Sequence, residues 1–179
     1  MVESVTFIKF LQELNFRNVG SWELIHGEVH HSIKVEIKTS VYLWVAETEE
    51  SKIIPLYVGK AGTFLKKRMN EHVKGFKERN SGKKKRDVLQ TLLEQNVKVD
   101  IFARESLIFD SKKITELSLL FPNCKFITPT ILSTESLEER ILIELIKTKF
   151  VNKKLLPFNH MSDKTKNEIE TNYQDYTIN

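Results

Sequence analysis

The chain has 179 residues, of which 40% are apolar and 29% charged, with a net charge of +4 and a single cysteine, Cys124. That length suits one domain with a proper core, one cysteine excludes an internal disulfide, and no apolar run approaches the ~20 residues that span a bilayer. The opening MVESVTFIKFLQEL lacks the basic patch, apolar run and cleavage site of a secretory signal, so a soluble protein of the reducing cytoplasm is expected.

Residues 4–15 predict an amphipathic helix with Phe7, Phe10, Leu11 and Leu14 on one side. The pair His30 and His31 lies in a loop-like stretch and reads as surface, because a metal site needs more ligands at defined spacing. SIKVEIKTSVYLWVAE alternates apolar and polar residues before a β-prone run at Tyr42 to Val45, TEESK forms a polar turn, and IIPLYVGK resumes as a strand. Residues 41–60 are therefore expected as an antiparallel hairpin, with Pro55 at an edge or bulge.

Thr63 is the expected N-cap of a helix whose stripe is Leu65, Met69, His72, Val73 and Phe76, bordered by Arg68. NSGKKKRD then breaks the chain as a loop. From Lys74 to Arg86, seven cations face only Glu78, which gives either a field for polyanions or a solvated surface. VLQTLLEQ predicts a helix, and VKVDIFARE a half-buried strand with Val97, Val99, Ile101 and Ala103 on one side. Within 107–132, KITELSLLF predicts a short helix and NCKFITPTIL an extended segment. SLEERILIELIKTKF, from Ser136, is the strongest helix.

No repeat or linker divides the chain, so a single domain is expected over 1–179: an extension at 1–39, a core at 40–160 interrupted near 107–132, and a polar tail at 161–179. The fold class is α/β of the α+β kind, a small mostly antiparallel sheet flanked by helices, with a helical leader. Such a core names no function.

Several polar residues exceed what packing needs. On a helical wheel Glu139 falls among Leu142, Ile143, Ile146 and Phe150, whereas Glu144 points outward. An ionised carboxylate on a buried face needs a metal or cationic partner, unless Glu139 closes a capping box with Ser136. Tyr42 and Tyr57 stand on neighbouring strands of one hairpin and can face the same side, Gly59 and Gly62 permit close approach, and Arg68 and His72 share a helix face.

SVY at 40–42, YVG at 57–59, Lys60, the Arg68/His72 pair, a helical glutamate and PFN at 157–159 together resemble the GIY-YIG nuclease superfamily, from about Ser40 to Asn159. The resemblance implies an endonuclease that hydrolyses phosphodiester bonds with one divalent ion, usually Mg²⁺. It implies that Tyr42 and Tyr57 position the attacking water and one deprotonates it, that Lys60 assists the phenol, and that Arg68 holds the scissile phosphate. His72 matches a position held by His or Tyr, Glu139 would bind the metal, and Asn159 would brace the site.

SVY lacks the glycine and isoleucine of the first signature, and YVG exchanges isoleucine for valine. The interval from Glu139 to Asn159 is longer than usual in the family, which leaves Glu144 with Asn159, or Glu139 with Asn152, as alternative pairs. Without a separate DNA-binding module, recognition falls to the leader, to the insertion and to Lys83, Lys84, Lys85 and Arg86. That arrangement is most similar to the stand-alone type II restriction members, which implies double-stranded DNA as partner, a homodimer, and neither a membrane nor a small-molecule cofactor. The alternatives are a repair or mobile-element nuclease of the same family, or a non-catalytic nucleic-acid-binding protein.

Overall fold

The structure is a computed structural model that describes residues 2–48, 52–78, 80–106, 134–150 and 159. In chain order it contains β1 (Val2–Glu3), α1 (Ser4–Glu13), β2 (Arg17–Ile25), β3 (Glu28–His31), β4 (Lys38–Glu47), β5 (Lys52–Phe64), α2 (Leu65–Glu78), α3 (Asn80–Glu94), β6 (Lys98–Glu105) and α4 (Thr134–Phe150). The insertion near 107–132, Cys124, Asn152 and the tail at 161–179 lie outside the described residues.

The strands form one antiparallel sheet in the order β1-β5-β4-β6-β2-β3. Successive side chains of a strand point to opposite faces, so β4 serves two cores. Tyr42 and Trp44 join Trp22, Leu56, Val99 and Ile101 beneath Leu65, Met69 and Phe76 of α2 and Val88, Leu89 and Leu92 of α3. Val41, Leu43 and Val45 face Phe7, Phe10 and Leu11 of α1 and Leu142 and Ile146 of α4. The expected α+β class, with a small antiparallel sheet flanked by helices, is the architecture observed. Among the described residues no helix is long and apolar enough to cross a membrane.

Pro55 sits where the β4–β5 register shifts, with Trp44 opposite Tyr57 and Val45 opposite Pro55. The extra residue, Leu56, is a β-bulge, a site that tolerates the missing proline N–H. It also reverses the alternation. Leu56 and Tyr57 both enter the core beneath α2 and α3, so the bulge is what turns Tyr57 towards Tyr42.

Three expectations are corrected. Residues 17–31 form a β-hairpin, closed by a two-residue turn in which His26 and Gly27 both have positive φ. His30 and His31 therefore lie on an edge strand rather than in a loop, and His31 Nε2 is 2.9 Å from Asn70 Oδ1. NSGKKKRD does not break the chain as a loop; it opens α3, since lysine and arginine are good helix formers and a Cβ on Gly82 would strike the Gly75 carbonyl where α2 and α3 cross. Thr63 lies within β5, one residue before its end, instead of capping α2. The cap comes from elsewhere in the chain: Lys66 N donates to Glu36 Oε1 at 3.1 Å, placing a carboxylate at the positive end of the helix.

Candidate active site

Tyr42 and Gly59 are cross-strand partners, and the Tyr42 and Tyr57 ring centres lie 5.9 Å apart. Gly59 makes this possible. A Cβ there would stand 2.5 Å from the Tyr42 hydroxyl and 2.6 Å from the Tyr57 ring, so any side chain would push the two phenols apart. His72, from the middle of α2, presents its ring edge-on to Tyr42, Trp44 and Tyr57, with centroids 6.1, 4.8 and 5.5 Å away. Its Nε2 is 2.7 Å from the Tyr42 hydroxyl. Burial, with Arg68 and Lys85 adding like charge, holds His72 well below the usual histidine range. The ring is neutral, and its tautomer sets whether Nε2 accepts the Tyr42 O–H or donates to the hydroxyl oxygen.

Arg68 lies one turn before His72. Its Nη1 donates to Glu71 Oε2 at 2.7 Å, while its Nε is buried with no hydrogen-bond partner among the described residues. Burial raises both phenols above the ordinary tyrosine value; Tyr57 adds to the rise at Tyr42, Glu139 adds to it at Tyr57, and Arg68 opposes it at each. The free protein thus keeps both tyrosines protonated, and Arg68 is the charge that eases their ionisation.

Glu139 reaches this cluster from α4. The α4 N-terminal turns meet β5 where Lys60 Nζ donates to Ser136 Oγ. Ser136 lies inside the helix, two residues past its start, so the capping box with Glu139 does not form. The buried face of α4 is also rotated from the wheel expectation. Glu138 occupies it, 4% exposed, paired with Arg104 at 2.6 Å and accepting from Ser106 Oγ at 2.6 Å. Glu139 is turned to the rim, half-buried, where burial raises its pKa and Lys60, Arg68 and Arg140 oppose the rise. Glu144 is exposed.

Asn159 clamps the backbone of Val58. Its Oδ1 accepts from Val58 N at 2.9 Å and its Nδ2 donates to Val58 O at 2.7 Å. β1 pairs only with Lys52 and Ile53 of β5, so this amide serves a backbone stretch that β1 does not reach, inside the YVG segment.

The structure thus brings together Tyr42, Tyr57, Arg68, His72 and Glu139, with Lys60 and Asn159 bracing β5 beside them. It disperses the four basic residues placed in the loop. Four consecutive helix positions point in four directions: Lys83 is exposed, Lys84 half-buried, Arg86 pairs with Asp87 at 2.7 Å, and Lys85 turns inward, its Nζ 4.3 Å from the centre of the Tyr57 ring. A signal for Lys85 existed. It precedes Val88, Leu89 and Leu92 by three, four and seven residues, the spacing of one helix face, but a loop reading of KKKR conceals it.

The donor set discriminates between divalent ions. Among the described residues no three His, Cys, Asp or Glu side chains gather into a metal-binding group. A single rim carboxylate does not suit zinc, which takes three or four protein ligands. It fits Mg²⁺, which keeps several waters and binds through one or two carboxylates together with substrate phosphate.

No protein-family model matches the chain, and no curated protein matches it. Among solved structures, a mutant of bacteriophage T4 EndoII is similar over 70% of this chain and 98% of its own, with 18% identity and a TM-score of 0.45.

Proposed function

We propose that the protein is a Mg²⁺-dependent DNA endonuclease that hydrolyses phosphodiester bonds. The convergence of two phenols, a guanidinium whose buried Nε has no partner among the described residues, a neutral imidazole and one rim carboxylate supports this reading, together with the likeness of SVY, YVG, Arg68, His72, Glu139 and Asn159 to the GIY-YIG pattern.

Each residue has a task set by its surroundings. Arg68 offers planar donors to the scissile phosphate while Glu71 holds one side of its guanidinium. Tyr57, facing Glu139, positions the attacking water and takes its proton in the phenolate form that Arg68 favours. Tyr42, tied to His72, fixes the Tyr57 ring through contact across Gly59. Lys60 holds α4 against β5 and supplies a charge that opposes the burial-driven rise in the Glu139 pKa. Mg²⁺ at Glu139 would polarise a phosphoryl oxygen and offset the carboxylate's hold on the Tyr57 proton.

Incubation with supercoiled plasmid tests the reading. Nicking is expected with Mg²⁺ and not with EDTA, and Glu139→Ala should lose at least ~100-fold in rate while still binding DNA. Cleavage that persists in EDTA, or full activity in Glu139→Ala, would remove the metal role. DNA binding without cleavage would favour the non-catalytic reading. For the restriction role, discrete fragments and a dimer in sedimentation are expected; scattered nicks point to a repair or mobile-element nuclease instead.

A further inference from the structure

Lys85 is a cation that the reading above leaves without a task. It stands on α3, half-buried, on the same face as Val88, Leu89 and Leu92. Its ammonium lies over the Tyr57 ring of β5. From α2 it is faced by Arg68 and His72, and His72 in turn carries Tyr42 of β4. A lysine that merely covers apolar surface extends its head into water. Lys85 instead buries its head among cationic and aromatic groups, and no carboxylate bonds it among the described residues.

Resting on the endonuclease reading, we propose that Lys85 is a further catalytic residue of this centre, contacting the scissile phosphodiester beside Arg68 and protonating the oxygen that leaves. As the bond from water oxygen to phosphorus forms, the bond from phosphorus to the departing nucleoside oxygen breaks. The leaving oxygen takes a proton from the Lys85 ammonium, and the N–H electron pair stays on nitrogen as a neutral amine, which solvent reprotonates. Tyr57, having first given its own proton to solvent, receives the proton of the attacking water as a phenolate. Burial, then the Arg68 charge, lower the Lys85 pKa to about 8, close enough to neutrality for proton donation.

The test compares wild type, Lys85→Met, Lys85→Arg and, as an exposed control on the same helix, Glu94→Gln. Plasmid nicking is followed with Mg²⁺ from pH 6 to 10, with duplex binding measured in parallel. Expected results are a loss of at least ~100-fold in kcat for Lys85→Met with Kd changed less than ~3-fold, little change in kcat for Glu94→Gln, and no loss of thermal stability in Lys85→Met. Wild-type kcat/KM should fall as pH rises through about 8, and Lys85→Arg, which keeps charge but cannot donate in this range, should lose that limb along with most of its rate. Lys85→Met cleaving within ~3-fold of wild type, or Lys85→Arg retaining the same limb, would overturn the role of Lys85 while leaving the endonuclease reading intact. A wild-type chain that binds DNA but never cleaves it would overturn both.

Discussion

At the scale of single residues, the site is a contest between burial and charge. His72 is neutral because three aromatic rings strip its water while Arg68 and Lys85 repel a proton. The unfolded chain has no such penalty and protonates this histidine near pH ~6.5. Between that value and the lower folded pKa, the unfolded state binds the extra proton, so stability falls as pH drops through the window, by at most ~1.4 kcal/mol per pH unit. Urea unfolding at stepped pH should show this slope in wild type and lose it in His72→Phe; an unchanged slope would place the titrating group elsewhere. Tyr42, Tyr57, Gly59, Arg68 and His72 were legible in the sequence because strand pairing and a four-residue helical interval fix who meets whom. Glu138 was not. A wheel of α4 gives relative directions but not which direction points at the sheet, and the Arg104 partner that sets this lies on a different strand.

At the scale of elements, the Arg104–Glu138 pair ties β6 to α4. Arg104 also lies over the Phe16 ring, 5.4 Å from its centre, just before β2, so one guanidinium joins three segments beneath the helix that carries Glu139. Arg104→Met leaves a 4% exposed carboxylate without its cation and should cost ~3–5 kcal/mol, with much of that restored in Arg104→Met/Glu138→Leu. Equilibrium unfolding of the single and double variants measures it; equal losses in both would show that the pair is not the source. Helices α2 and α3 illustrate a different limit of sequence reading. The stripe of α2 was plain, but its cap is Glu36, remote in the chain. The basic start of α3 was hidden because Asn, Ser and Gly mark turns by local rule, whereas packing of Gly82 against Gly75 keeps the segment helical.

At the scale of the molecule, α2 and α3 cover one face of the sheet and α1 and α4 the other, and the candidate site forms where groups from both sides meet at β5. Among the basic residues of α2 and α3, Lys77 is paired with Glu28, Lys74 with Glu78 and Arg86 with Asp87, while Lys83 is exposed. If exposed Lys83 meets a phosphate, Lys83→Gln should lower the slope of log binding constant against log salt by ~0.9; fluorescence anisotropy over a salt series reads this, and an unchanged slope would put the DNA elsewhere. The sequence alone determined the α+β class, the tyrosine hairpin with its proline irregularity, and the helices bearing Arg68, His72 and Glu139, because these follow from local periodicity and turn chemistry. Only the tertiary structure decided that residues 17–31 complete the sheet, that Lys85 leans over Tyr57, and that Glu138 is buried while Glu139 faces Tyr57. Those facts depend on which distant surfaces each element packs against, and side-chain direction at a helix is fixed by the partner that excludes water from it.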